Sequence, residues 1–165
     1  FFYSANVKLL RYFNPIGSYD GVIGEEPNGN PNNLMPYILG VANNKFDHLN
    51  IFGDDYETDD GTGVRDYVHV MDLIDAHWCA LNNQSLGCKI FNVGCGVGFS
   101  VKNLLDTFQN VNKVIIPSVM QPRRDGDIGE CYASVKKINN ELGWYAKKGL
   151  KEMCQDSWKT ICKNT

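Results

Sequence analysis

Runs typical of β-strands alternate along this chain with stretches that have the periodicity of amphipathic helices. Strands are expected at residues 7–13, 49–52, 64–70, 89–93 and 114–116. Helices are expected at residues 34–44, 73–81, 101–108, 134–143 and 150–162, with Asp72 and Ser134 as helix caps. Strands that alternate with helices indicate an α/β fold rather than an all-helical or sandwich fold. With 165 residues, the chain is long enough for a substantial core.

The charge balance excludes a broadly basic surface. Lys and Arg total 16 against 19 Asp and Glu, which gives a net charge of −3, so no nucleic-acid partner is expected. No apolar run approaches the ~20 residues of a membrane span, so no membrane association is expected. Residues 1–4 are apolar but lack an initiator Met and the basic region of a signal peptide. We therefore expect the chain to continue from an upstream part of a longer protein.

The cysteine spacing favours free thiols over disulfides. No CxxC pair occurs, and several of the six cysteines lie on apolar helix faces or beside strands: Cys79, Cys88, Cys95, Cys131, Cys154 and Cys162. Buried free thiols are typical of a reducing compartment, so a cytoplasmic location is expected. The three histidines are scattered without the spacing of zinc ligands, so no metal is expected.

Two predicted loops are candidates for a function. Residues 18–33 form a long segment rich in Gly, Asn and Pro, and long loops in compact domains are more often functional than idle. Residues 55–61 superficially resemble a calcium loop. Counted from Asp55, however, positions six and twelve are Asp60 and Asp66, where an EF-hand needs glycine and glutamate. A solvated acidic turn is therefore expected.

A glycine-rich turn at residues 94–98 follows a predicted strand and precedes a predicted helix. The G-x-G-x-x-G fingerprint of dinucleotide binding would need a sixth-position glycine at 99, where Phe99 stands. The acidic residue expected about 20 positions further on is absent as well, because Ser118 and Val119 stand there. We interpret the segment as a tight strand-to-helix turn and not as an NAD site.

Three arginines are candidate anion ligands. Arg65 lies within an otherwise apolar strand, and Arg123 and Arg124 lie in a loop beside Asp125-Gly126-Asp127. The planar guanidinium suits phosphate oxygens, and a neighbouring glycine permits close approach. Arg65 has many carboxylates nearby, so a structural ion pair explains it equally well.

Six motifs together resemble one family in order and spacing. They are Leu10-Arg11-Tyr12-Phe13-Asn14-Pro15, Pro31-Asn32-Asn33-Leu34-Met35-Pro36-Tyr37, Ile51-Phe52-Gly53, the segment Asp60 to Val70, Asn92-Val93-Gly94, and Arg123-Arg124-Asp125-Gly126-Asp127. This set resembles the UDP-glucose 4-epimerase family of the extended short-chain dehydrogenases/reductases, and it covers nearly the whole chain. The second and fourth motifs are specific to that family.

The resemblance implies a fold and a domain arrangement. It implies the last strands and helices of an NAD-binding Rossmann-type domain plus the smaller α/β substrate-binding domain. Residues 7–13 and about 72–110 would contribute to the Rossmann-type sheet and its helices, with the remainder of 1–165 in the substrate-binding domain. The N-terminal NAD-binding half would be absent, since full-length members are roughly twice as long as this chain.

The resemblance also implies roles for individual residues. Phe13 would contact the nicotinamide cofactor, and the remaining matches would bind the UDP-sugar: Asn14 (diphosphate side), Asn33 and Leu34 (substrate turn), the backbone of Asn50, Ile51 and Phe52 (uracil), Arg65 and Arg124 (diphosphate), Asp127 (ribose), and Cys131 (sugar ring). No catalytic residue is expected here, because the Ser…Tyr-x-x-x-Lys set belongs to the other half. Residues 132–136 have the Tyr-x-x-x-Lys spacing only by coincidence.

The implied activity is NAD-dependent interconversion of UDP-glucose and UDP-galactose by a homodimer. Family members have either a bulky tyrosine or a small residue at the position of Cys131, and the small Cys131 side chain implies that UDP-GlcNAc and UDP-GalNAc are interconverted too. Two alternatives stay open at this point. One is another nucleotide-sugar enzyme of the same fold, a dehydratase or a decarboxylase, and the other is a non-catalytic fragment that only binds a nucleotide sugar.

Overall fold

A computed structural model describes residues 5–163, so the expectation that concerned residues 1–4 lies outside the described part. Its strands are β1 (Val7–Tyr12), β2 (Asn14–Ile16), β3 (Leu49–Phe52), β4 (Val64–Arg65), β5 (Tyr67–His69), β6 (Cys88–Val93), β7 (Phe99–Ser100), β8 (Ser118–Gln121) and β9 (Glu130–Cys131). Its helices are α1 (Leu34–Ala42), α2 (Val70–Asn82), α3 (Val101–Asn112), α4 (Lys136–Leu142) and α5 (Leu150–Lys163).

Parallel pairing dominates the strands of this chain. β1 pairs with β6, β2 with β5, and β3 with β8, each in parallel register. The short strand β4 lies between β7, which is antiparallel to it, and β9, which is parallel. Parallel strands joined through helices are the hallmark of α/β architecture, so the predicted fold class is confirmed.

The buried apolar side chains form two cores. The larger core joins α1, β3, α3 and α5 through residues such as Ile38, Ile51, Phe108 and Met153. The smaller core lies beneath one face of the β1–β6 pair, where α2 and α4 cover Phe91 and Val93. Helix α3 packs in the larger core through Leu104, Leu105 and Phe108.

Two helix starts differ from the expectation. α2 begins at Val70, three residues early, because His69 is the N-cap and its Nδ1 accepts the Met71 N–H at 3.0 Å. Asp72 is therefore not a cap; its carboxylate accepts the backbone N–H groups of Lys147 and Lys148 at 3.0 and 2.9 Å. α4 begins at Lys136 with Val135 in the N-cap position, so the predicted Ser134 cap is wrong.

Two strand predictions need correction. Residues 64–70 are not one strand, because the chain changes partners at Asp66 and enters α2 at Val70. Residues 114–116 are not a strand either. The segment leads out of α3, and the strand that pairs with β3 is β8, a few residues later. Of the segment's two isoleucines, Ile115 is 86% exposed, whereas Ile116 is buried in the larger core although it belongs to no strand.

Two further expectations concerned the state of the cysteines and the presence of a membrane span. All six cysteines are free thiols, of which Cys154 is buried whereas Cys88, Cys131 and Cys162 are exposed. Among the described helices, none is long and apolar enough to cross a membrane.

Candidate substrate site

A cavity of about 670 Å³ opens between β2, β3, the start of α1 and the β4–β5 segment. Cavities of this size are typical of small-molecule sites. It is lined by all the predicted binding residues except Cys131, namely Phe13, Asn14, Asn33, Leu34, Asn50, Ile51, Phe52, Arg65, Arg124 and Asp127. Residues far apart in the sequence therefore meet at one cavity.

A carboxylate between two arginines marks one part of the cavity. Arg124 donates through Nε to Asp127 Oδ2 at 2.9 Å, and its Nη2 lies 2.8 Å from the same oxygen. Arg65 Nη2 lies 4.0 Å from the other oxygen, Oδ1. The Arg124 guanidinium also lies 4.9 Å from the centre of the Phe52 ring. Two guanidinium groups therefore converge on a single anion.

Arg123 takes a different direction from its neighbour. Its Nε donates to Asp55 Oδ1 at 2.6 Å, and its guanidinium lies 4.2 Å from the centre of the Tyr56 ring. Of the two arginines in the loop, Arg124 is the one that lines the cavity.

The free edge of β3 supplies backbone groups. Leu49 and Gly53 donate their N–H groups to Pro117 and Gln121 of the β8 segment at 2.8 Å. In a parallel pair the backbone groups of alternate residues point to the same side. The N–H and C=O groups of Asn50 and Phe52 therefore point away from β8, toward the edge at the cavity.

The N-terminus of α1 also opens on the cavity through Asn33 and Leu34. Asn33 is the N-cap residue, but its side-chain amide donates to Glu25 Oε1 at 2.7 Å instead of accepting from the first turn. The N–H groups at a helix start carry a partial positive charge and favour anions. The arginines and this helix end are thus two sources of positive potential at one cavity.

Three tyrosines that were not among the predicted binding residues also line the cavity, namely Tyr37, Tyr56 and Tyr67. Tyr67 is buried, and burial raises the pKa of its hydroxyl to about 12, so the hydroxyl stays protonated at neutral pH and can donate a hydrogen bond. Strand periodicity places it on the same side as Arg65, a signal that could have identified it. Tyr56 lies in the acidic turn, and within residues 5–163 its buried hydroxyl has no hydrogen-bond partner.

The glycine turn after β6 is occupied by a protein carboxylate. Asp66 Oδ1 accepts the Cys95 N–H at 2.7 Å, and Oδ2 accepts the Gly96 N–H at 2.8 Å. A Cβ on Gly94 would lie 2.5 Å from Oδ2, so a larger residue there would displace the carboxylate. These N–H groups are the donors that a bound pyrophosphate would need, which agrees with the interpretation of this segment as a turn.

Cys131 lies in β9, directly beside Arg65 of β4 in the register. Its side chain is exposed to solvent, outside the cavity lining. The structure therefore places it next to a cavity residue but not in the cavity wall.

The arrangement of parallel strand pairs that surrounds the cavity is shared with one known class of proteins. The chain belongs to the NAD-dependent epimerase/dehydratase family, whose model matches residues 3–94. A UDP-glucose 4-epimerase from Bacillus subtilis is 51% identical over 157 residues, which are 93% of this chain and 46% of that protein.

Solved structures agree with this assignment. The UDP-glucose 4-epimerase from Bifidobacterium longum in complex with NAD+ and UDP matches with a TM-score of 0.93 and 41% identity, over 98% of this chain and 49% of that chain. The enzyme from Stenotrophomonas maltophila, with bound NAD and formylated UDP-arabinopyranose, matches with a TM-score of 0.94 and 42% identity, over 99% and 50%. The resemblance and the Rossmann-type α/β fold are thus confirmed. The chain spans about half the length of these relatives.

Proposed function

We propose that this chain is the UDP-sugar-binding part of an NAD-dependent UDP-glucose 4-epimerase that interconverts UDP-glucose and UDP-galactose. The observation that carries the proposal is the convergence of Arg65 and Arg124 on one anion at a cavity beside a free strand edge. A nucleoside diphosphate needs both features, because the arginine pair can bind its diphosphate and the backbone groups of the strand edge can pair with its base. A homodimeric state, implied by the resemblance, and a cytoplasmic location, expected from the cysteine usage, belong to the same proposal.

The diphosphate is proposed to lie between the two arginines and the start of α1. Arg65 and Arg124 then turn from Asp127 toward the phosphate oxygens, and Asn14 and the Asn33-Leu34 turn contact the same region of the ligand. Asp127, relieved of the ion pair, accepts hydrogen bonds from the ribose hydroxyls. Tyr67, protonated at neutral pH, adds a donor.

The uracil is proposed to pair with the free edge of β3. Asn50 and Phe52 present N–H and C=O groups there, whereas the backbone of Ile51 is turned to β8 and supports the edge. Such an alternation of donors and acceptors complements the edge of a pyrimidine base. Gln121 Nε2 donates to Asn50 Oδ1 at 3.2 Å, which keeps the Asn50 side chain from competing with its backbone.

The reaction explains why this half binds and does not transfer protons. The sugar must turn over between two hydride transfers, so it must be held loosely, and the binding energy must come from the remote UDP group. NAD, when bound, supplies the hydride acceptor and donor for sugar C4. Phe13 lies at the cavity, with its N–H donating to Val93 at 3.1 Å, and is proposed to contact the nicotinamide side.

The β1–β6 pair is proposed to be the end of a larger Rossmann-type sheet. Parallel sheets are normally covered on both faces. Here α2 and α4 cover one face, whereas Val7, Leu9 and Ile90 of the opposite face are 39%, 49% and 44% exposed. An N-terminal NAD-binding half, as in the longer relatives, is the proposed cover for this open sheet face.

Calorimetric titration of UDP into the protein expressed from its complete reading frame tests the proposal. Arg124→Ala is expected to weaken UDP binding by about 1.5–3 kcal/mol, the range for hydrogen bonds to charged groups. Arg123→Ala is the matched control, because its side chain pairs with Asp55 and does not itself line the cavity. Equal UDP affinity in the two variants would contradict the proposed diphosphate site.

A further inference from the structure

Asp66 is a fully buried carboxylate between two cavity residues. Arg65 and Tyr67 line the cavity, and strand alternation turns the side chain between them to the other side. A buried carboxylate is costly unless hydrogen bonds compensate for the lost water. Burial raises the pKa of Asp66 above its ordinary value, and backbone donors lower it only in part.

The hydrogen bonds of Asp66 join separate segments of the chain. Within residues 5–163 its carboxylate accepts the N–H groups of Cys95, Gly96 and Ala133, the last at 3.1 Å. Its own N–H donates to the Cys131 carbonyl at 3.2 Å, and its carbonyl accepts the Asn14 N–H at 3.0 Å. The segments after β6, around β9 and at the start of β2 therefore meet at one residue.

These segments carry candidate site residues. Asn14 and Arg65 belong to the proposed diphosphate end of the substrate, and Cys131 belongs to the proposed sugar end. Their relative positions depend on the backbone that holds them. Asp66 is where those backbones are joined.

We propose that Asp66 is a positioning residue, which holds the β2, β4–β5 and β9 segments in the arrangement that binds the nucleotide sugar. It acts through the backbone and touches neither sugar nor phosphate. The inference rests on the proposed function, since it assumes that the cavity binds a UDP-sugar.

An Asn at this position cannot replace the carboxylate. Its single acceptor oxygen leaves at least one N–H unpaired, and its NH₂ group faces another donor. The β6–β7 turn and the Ala133 segment would therefore shift apart. Asp72 offers a matched control, because it is also buried and accepts two backbone N–H groups, but it joins α2 to the segment before α5, away from the cavity.

The experiment compares Asp66→Asn and Asp72→Asn in the protein expressed from its complete reading frame. UDP dissociation constants are measured by calorimetry, and KM and kcat for UDP-galactose are measured separately, well below the melting temperature of each variant. Both variants are expected to lower Tm. Asp66→Asn alone is expected to weaken UDP binding about tenfold or more and to raise KM in proportion.

The outcomes separate the two proposals. An unchanged UDP affinity in Asp66→Asn, or an equal loss in Asp72→Asn, would overturn the positioning role while wild-type binding still supports the proposed function. Failure of the wild-type protein to bind UDP would overturn the proposed function itself. If Asp66→Asn does not fold, Gly94→Ala decides, because its methyl group displaces the carboxylate without removing it, and it must weaken UDP binding in the same way.

Discussion

Adjacent residues of like chemistry take opposite roles at the Arg123-Arg124 pair. The turn that follows is closed by an Asp127 N–H bond to the Arg124 carbonyl at 3.2 Å, with Gly126 at φ 83°. In this turn the Asp127 side chain points toward Arg124. The Arg123 side chain instead donates a hydrogen bond to Asp55 in the acidic turn. From the sequence alone, Arg65 could equally well be a phosphate ligand or a partner in a structural ion pair. The structure shows that Arg65 stands at a cavity and beside a carboxylate, so both interpretations describe part of its environment.

At the same scale, Cys131 is predicted to set the range of sugars. If it faces the sugar ring in the complete protein, a tyrosine there would fill the space that an N-acetyl group needs. Cys131→Tyr is expected to retain the reaction of UDP-galactose and largely abolish that of UDP-GalNAc. The measurement is the ratio of kcat/KM for the two substrates in wild type and variant.

Cys162→Tyr is the control for this prediction. Cys162 is also an exposed cysteine, but it lies at the end of α5. Its replacement adds the same bulk away from the cavity and should leave the ratio unchanged. If Cys131→Tyr leaves the ratio unchanged as well, Cys131 does not limit the sugar site.

Among the elements, the junction of β5 and α2 is tied to α5 by a buried histidine. His69 Nδ1 accepts the Met71 N–H, so in the neutral ring the proton is on Nε2, which donates to Asp156 Oδ2 at 3.1 Å. Burial lowers the pKa of His69, and the positive charge of Lys148 lowers it further, whereas Asp156 and Asp72 oppose the shift. The folded protein therefore holds this imidazole neutral.

The stability of the protein should consequently fall as the pH decreases through the histidine range. An unfolded histidine takes up a proton near pH 6.5, whereas folded His69 resists it, so the unfolded state binds more protons below that pH. The stabilisation is present above about pH 6.5 and is progressively lost as the pH falls below that value toward the lowered pKa of folded His69. His69→Gln keeps a hydrogen-bond donor for Asp156 but does not titrate, so it should reduce the dependence of the unfolding free energy on pH.

Urea denaturation of wild type and His69→Gln between about pH 5 and 7.5 measures this difference. The other histidines are common to both proteins and cancel in the comparison. The lowered pKa of Asp156 places its titration below this window. Identical slopes of unfolding free energy against pH in the two proteins would rule out the role of His69.

Elements with strong periodicity could be predicted from the sequence, and elements defined by partners could not. α5 and β3 were predicted closely, because the stripe of Leu150, Met153 and Cys154 and the apolar run at β3 are local signals. The division between β4 and β5 depends on Asp66, whose binding partners lie up to 67 residues away. β8 is a strand because it pairs with β3, although it is less apolar than the segment before it. Most of the predicted binding residues came from the motifs and line the cavity, whereas the positions of Tyr56 and Tyr67 in the cavity lining were not predicted.

Over the whole molecule, the two cores differ in completeness. The larger core is enclosed by α1, α3 and α5, whereas the β1–β6 core ends at the open sheet face. Exposed apolar surface on a parallel sheet is normally covered in the complete protein. The larger core is therefore covered by elements of this chain, and the open face is where we expect the proposed NAD-binding half to dock.

Ile90→Ser in the protein expressed from its complete reading frame tests this docking. If another part of the protein covers the face, the substitution should lower the unfolding free energy by about 2–4 kcal/mol, as for other truncations of buried aliphatic side chains. Val119→Ser is the control, since Val119 is also a β-branched strand residue and is likewise 44% exposed, but it lies on β8, away from this face. Its loss should be under about 1 kcal/mol, because a half-exposed strand position contributes little more than its β-propensity. Urea denaturation of both variants decides the matter: equal and small losses would mean that the face stays in contact with water in the complete protein.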